Sequence, residues 1–382
     1  MPLDPLIVAR KLKQARELQS LSVSAVSEAT GIVAERIALV EAGESPATGD
    51  EVLVLANYYR HDFRDFLDDN RPAPFEKTDI LYRRHGDAFT GEDRRAIQEF
   101  LYLCEIESIL EALLSVPKQP FSFAPTGTFY KAHGDSAAKA LRDHLGYSSN
   151  EIPRDVFADF RKIGIHIFRR RLVNSDISGL YIEHPVAGHC VLVNYDEDLY
   201  RQRFSASHEA AHVIFDSSEA VMVTFRHELS RDDEGFLKEV RANRFASCYL
   251  MPPDKLPRVS QWTTDRAIEW AQQLRVSTTA LSIALREAGI IDETVAAMIR
   301  SVRVPTAEKI DPEAPLTLTA KQKARRRALL ERGFSDYFVG LCFDAHQQGK
   351  ISAGRLSEAL LADHVELREL SALYGRSLQD GA

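Results

Sequence analysis

The sequence predicts an α+β protein, mostly α, on three observations. Apolar residues recur at helical spacing over most of the chain. Three short apolar runs, at 163–170, 179–184 and 189–195, are separated by turn residues and read as strands. Helical spacing resumes on both sides of them, so the sheet is small. The expected organisation is a helix-turn-helix bundle over 1–70 and a helical linker over 71–130. A core domain carrying the sheet follows over 131–300, then a linker and helical C-terminal region over 301–382.

In the first segment Leu6, Leu12, Ala15 and Leu18 share one helical face. Ser22 is placed to cap a second helix that buries Val23, Val26 and Ala29, and Gly31 ends it. A third helix runs through Ile37 and Val40 to Gly43. The turn residues Gly43, Ser45 and Pro46 precede a fourth with Val52, Leu55 and Ala56. Residues 71–78 form a Pro-rich junction. Residues 91–114 read as one long, charged helix joining two domains, and 116–127 as a second linker. Helices are expected at 136–146 and 155–162, before the strands. After the strands come helices around 201–215 and 234–250, the latter ended by Pro252 and Pro253. Residues 255–300 are helical, 302–318 an extended linker, and 319–378 helical.

The 382 residues are 45% hydrophobic and 27% charged, which suits a chain with an ample core. With 48 basic and 56 acidic side chains the formal charge is −8. That disfavours affinity of the whole molecule for nucleic acid or anionic membrane and leaves only local basic patches. Cys104, Cys190, Cys248 and Cys342 are scattered, without a CxxC pair, so reduced thiols in a cytoplasmic setting are expected. The N-terminus has no signal-peptide pattern, and no apolar run reaches the roughly 18 residues of a membrane span.

The chemistry concentrates at HEAAH, residues 208–212. His208 and His212 lie at i and i+4, one helical turn apart on one face, so both imidazoles can reach one ion. Glu209, beside the first histidine, can hold a water without becoming a ligand. A catalytic zinc site takes three protein ligands and leaves one position open. The next long helix supplies Glu239, on one face with Ala242, Asn243 and Ala246. The alanines permit close approach, and Asn243 is placed to hydrogen-bond a ligand carboxylate. Glu234 is a rival third ligand. His227 and Tyr249 are candidates, by residue type alone, for stabilising an oxyanion.

The stretch RFSASHEAAHVIF, followed by EVRANRFASCYLMP, resembles the ImmA/IrrE family of metallopeptidases over roughly residues 131–260. Arg201, Arg203 and Phe204 match its lead-in. Ile177, Ser178 and Gly179 match its strand and turn. Ala210-Ala211 replaces the family's usual Leu-Gly pair. The resemblance implies a zincin-like fold, with one divalent ion, zinc or manganese, on His208, His212 and Glu239, and Glu209 as the base. It also implies a regulatory endopeptidase that cuts a transcriptional repressor, itself often a helix-turn-helix protein.

The N-terminal segment resembles the Cro/C1-type (XRE) helix-turn-helix at Leu21-Ser22, Ala25-Val26, Gly31-Ile32, Ile37, Glu41, Gly43, Pro46 and Leu55-Ala56. There the helix after Gly31 enters the DNA major groove, which makes Arg36 the candidate contact. Against this, residues 1–70 carry seven basic and twelve acidic side chains. Protein contact or homodimerisation is the competing use. The basic run at 321–332 holds six basic residues, as a solvated helix or a phosphate contact. A second reading of the whole is a DNA-binding regulator or antitoxin whose metallo-domain senses a ligand or is inactive.

Overall fold

The computed structural model describes residues 4–68, 75–217, 219, 221–225, 235–314 and 318–378. It is an α+β fold dominated by helices around one small mixed sheet.

Five helices form the N-terminal bundle: α1 (Pro5–Leu18), α2 (Val23–Thr30), α3 (Ala34–Glu41), α4 (Gly49–Tyr59) and α5 (Arg64–Leu67). Ser22 Oγ accepts from the Ala25 amide, and Gly31 closes α2 in the left-handed region at φ 76°. Leu12, Val26, Ile37, Leu55, Tyr59 and Phe66 meet at the centre.

Next come α6 (Phe75–His85), α7 (Gly91–Leu113), α8 (Tyr130–His144) and α9 (Val156–Lys162). The strands are β1 (His166–Arg170), β2 (Ile177–His184), β3 (Gly188–Asn194) and β4 (Val221–Phe225), in the order β1-β3-β2-β4. β1 runs parallel to β3, and the other pairings are antiparallel. Helix α10 (Leu199–Asp216) precedes β4, and α11 (Phe236–Leu250) follows it. Then come α12 (Thr264–Leu274), α13 (Thr278–Glu287), α14 (Glu293–Arg300), α15 (Ala320–Leu330), α16 (Asp336–Gln347), α17 (Ala353–Ala359) and α18 (His364–Tyr374).

Side chains alternate across the sheet, so each face has its own core. Ile167, Tyr181, Val191 and Val193 face α10 and α11. Phe168, Leu180, Ile182 and Leu192 face the opposite layer, made of α7 with the C-terminal helices. Helix α7 is therefore no linker. Ile97, Phe100, Leu101, Leu103 and Cys104 are wholly buried in it, and so are its polar residues Asp93 and Glu107. The 302–318 segment is no free linker either. Its Asp311 and Glu313 pair with the buried Arg169 at 2.9 and 2.8 Å, and Glu313 also binds Arg161 at 2.9 Å.

A close approach sets the position of α11. Gly134 on α8 lies so near it that a Cβ there would come within 2.8 Å of the Arg241 carbonyl and 2.9 Å of the Phe245 amide. On the other side Ala210 and Ala211 of α10 are wholly buried. The glycine lets α11 lie close against α8, within reach of the side chains of α10.

Candidate metal centre

Helix α10 sits between the sheet and α11, and its start is fixed from within. Arg203, wholly buried, donates to the carbonyls of Pro153, Arg154 and Arg275 at 2.5, 2.8 and 3.2 Å. Burial, reinforced by Arg275, pulls this guanidinium down to about 10. Asp198 caps the helix by accepting from the Tyr200 amide. The next two turns present His208 and His212 toward α11.

Three ligand-type atoms converge there. The two Nε2 atoms are 3.0 Å apart. Glu239 Oε2 lies 3.0 Å from His208 Nε2, and Oε1 3.3 Å from His212 Nε2. An ion bound at about 2.0–2.1 Å in tetrahedral geometry separates its ligand atoms by roughly 3.3 Å. The outer nitrogens are tied back. His208 Nδ1–H donates to Asn243 Oδ1 and His212 Nδ1–H to Asp216 Oδ2, both at 3.1 Å. That fixes the tautomer which leaves each Nε2 lone pair facing the other ligands. Arg241 holds Asp216 from behind at 2.5 Å.

The electrostatics favour a cation at this point. Burial alone would lower His212, but its bonds to Asp216 and Glu239 outweigh it and raise the imidazole to about 10. Burial would likewise raise Glu239, yet the two imidazoles hold it well below the usual carboxylate range. A centre that draws a proton this strongly has the donor set and charge to hold a divalent ion.

Glu209 lies beside the pair. It is wholly buried, with the Thr224 hydroxyl of β4 as its neighbouring hydrogen-bond donor. Burial pushes its carboxyl up, against the pull of His208 and His212. It rests against β2, where a Cβ on Gly179 would come within 2.9 Å of Glu209 Oε1 and of the Leu192 carbonyl. Gly179→Ala should therefore push the carboxylate aside and strain the β2–β3 pairing at Leu192. Displacements of about 1 Å cost on the order of 100-fold in rate, so we expect a 10- to 100-fold loss of kcat at unchanged metal content.

A cleft of about 660 Å3 opens onto the centre. His208, Glu239 and Asn243 line its floor, and Val223, Thr224 and Phe225 of β4 one wall.

Residues 160–286 match the IrrE N-terminal-like domain family. The match spans about a third of the chain and includes HEAAH and Glu239. No curated protein sequence matches the chain. The match supports a metallopeptidase domain of the ImmA/IrrE type, a family that implies a metal ion, typically zinc.

The IrrE-like domain brings His208, Glu209, His212, Glu239 and Asn243 together, with one change of role. Asn243 bonds an imidazole rather than a ligand carboxylate. Tyr249 does not reach the centre, because its hydroxyl donates to the buried Asp159 at 2.9 Å. His227 and Glu234 lie outside the described residues. Asp216 was not among the residues read from sequence, although its i+4 spacing from His212 was a usable signal. Losing an outer partner of a ligand histidine typically costs about 10- to 100-fold in metal affinity. Asp216→Ala should do the same in competition against a chelator. Unchanged affinity would show that the Asp216 bond does not matter to binding.

Outside the IrrE-like domain, Arg36 is not poised for base contact. Its guanidinium donates to both Glu51 oxygens, to Ser45 Oγ and to the Pro46 carbonyl. In the basic run Arg325 and Arg332 pair with Glu366, and Arg326 with Asp336.

Proposed function

We propose that this protein is a metal-dependent regulatory endopeptidase whose ion is held by His208, His212 and Glu239, with Glu209 as general base. The observation that carries the proposal is two imidazole nitrogens 3.0 Å apart, both closed by a carboxylate and each oriented from behind. Zinc and manganese both suit this nitrogen and oxygen set.

When bound, the ion supplies Lewis acidity toward water and toward a scissile carbonyl. The protein side of the chemistry falls to Glu209. Its buried carboxylate accepts a proton from water at an Oε atom and returns it to the leaving amine nitrogen. Asn243 and Asp216 keep the imidazoles from turning. β4 is the last strand of the sheet and lines the cleft, so its outer backbone groups can pair with an extended chain segment. This favours a protein substrate over a small molecule.

For the substrate we favour a helix-turn-helix repressor. The supporting features are the resemblance of the N-terminal bundle to such a module and its surface. Val33 and Leu39, at and after the turn that leads into α3, are 61% and 43% exposed, while Arg36 is bound to Glu51. An apolar face of this kind suits protein contact better than base readout, so the DNA-binding alternative loses its proposed contact. Four free, buried cysteines suit a cytoplasmic setting. Among the described residues, no helix is long and apolar enough to cross a membrane.

The test compares new protein N-termini in cells expressing the wild type and Glu239→Ala, with metal content of both purified proteins. We expect close to one fewer ion per chain in Glu239→Ala, and cleaved repressors only with the wild type. Identical N-termini in both would sink the peptidase reading.

A further inference from the structure

A second cluster of ligand-type side chains lies on the far face of the sheet from α10. Glu107 and Glu111 of α7 stand at i and i+4, on one helical face, and His166 of β1 lies against them. One ligand atom from each falls within 4.8 Å of the others, and all three residues are buried. We propose that this cluster is a second divalent-cation site, structural rather than catalytic, for a borderline ion such as zinc or manganese. The inference does not rest on the peptidase reading.

Two observations carry it. The first is the donor set itself, an imidazole with two carboxylates, which is a common set for such ions. The second is an unmet bond. Glu107 has no exposed surface, and its Oε2 has no partner among the described residues. A carboxylate oxygen in that position calls for an ordered water or an ion. The nearby cations, Lys118 and Arg161, offset part of the cluster's charge without bonding the free Glu107 oxygen. Lys118 and Tyr337 both donate to Glu111 Oε1, at 2.5 and 2.6 Å, which leaves Glu111 Oε2 4.0 Å from His166 Nδ1. Arg161 is bound to Glu313, the Ile167 carbonyl and Ser335. Glu107 Oε1 bonds His166 Nδ1 at 2.8 Å.

An ion bound at about 2.0–2.2 Å holds its ligand atoms roughly 3–3.5 Å apart. Entry therefore replaces the proton shared by His166 and Glu107 and widens that contact by about half an ångström. The bound ion would tie α7 to β1. Because α7 also receives the N-terminal bundle, through Gln98 on the Arg60 carbonyl at 3.0 Å and Glu99 near Arg60 at 3.6 Å, the tie would reach that bundle.

The experiment is zinc-edge anomalous diffraction from crystals of the full chain soaked in zinc, which reads each cluster separately. The expected result is a peak between α7 and β1, whether or not one appears at His208 and His212. In solution, zinc should raise the Tm of Glu239→Ala, whose first site is impaired, and should not raise that of Glu239→Ala with Glu107→Gln. No peak between α7 and β1, or an equal Tm rise in both variants, overturns the proposal. A missing peak at His208 and His212 would count against the peptidase centre alone.

Discussion

Glu209→Gln should lose about 100- to 10,000-fold in turnover, the usual contribution of a positioned general base, while keeping its metal ion. The amide matches the carboxylate in shape, so it fits the space beside Gly179 without moving β2. It cannot take a proton at neutral pH. The ligand atoms of His208, His212 and Glu239 are untouched, so metal content should equal that of the wild type. Stability supplies an independent reading. Glu209 is buried beside Thr224 and the two imidazoles, so the isosteric amide removes a desolvation cost and keeps an oxygen that can still accept from Thr224. The Tm should hold or rise. A structural residue would behave the other way, with falling Tm and only incidental loss of rate. Cleavage at wild-type speed with full metal occupancy would remove Glu209 from the chemistry.

The centre was legible in the sequence because its geometry is helical. Spacing of i and i+4 places His208 and His212 on one face, and the same period places Glu239 and Asn243 on one face of the next long helix. Which partner Asn243 takes was not legible. One turn on from Glu239, it can reach either a carboxylate or an imidazole, and only the approach of α10 and α11 decides. Gly134 brings α11 close to α8, and it carries no chemistry of its own.

The misreadings share a physical cause. Helix α7 looked like a solvated connector because it carries Asp93, Gln98, Glu105, Glu107 and Glu111, all of them buried. Asp93 accepts from the Val173 amide at 2.7 Å and Glu111 from Tyr337, both partners distant in sequence, and Glu111 also accepts from Lys118 just beyond the helix. Asp311 and Glu313 made 302–318 look like a linker for the same reason. Strand β4 escaped because five residues between two helices have little pattern of their own, and it exists by pairing with β2. Arg36 looked free because the capping Glu51 that binds it belongs to the next helix.

Arg203→Ala should be among the most destabilising single changes in the chain, at about 3–5 kcal/mol. Arg203 is wholly buried, and its guanidinium faces no carboxylate at bonding distance among the described residues. Its partners are three backbone carbonyls from two loops. Truncation would leave the Pro153 and Arg275 carbonyls without this donor, at about 1–3 kcal/mol for each one that water cannot reach, while the Arg154 carbonyl keeps its bond from Arg275 at 3.0 Å. It would also open a side-chain-sized cavity under the first turn of α10. For a unit of this size the loss corresponds to a fall in Tm on the order of 10 °C. Arg203→Lys should recover only part of it, because one ammonium cannot reach oxygens held at three separate directions by a planar fork. The effect should also reach the metal centre, since His208 stands five residues further along the same helix. Metal affinity should therefore fall together with stability, unlike in Glu209→Gln, where the two should separate. If Arg203→Ala melts within a degree or two of the wild type, α10 is anchored by the sheet and by α11 alone.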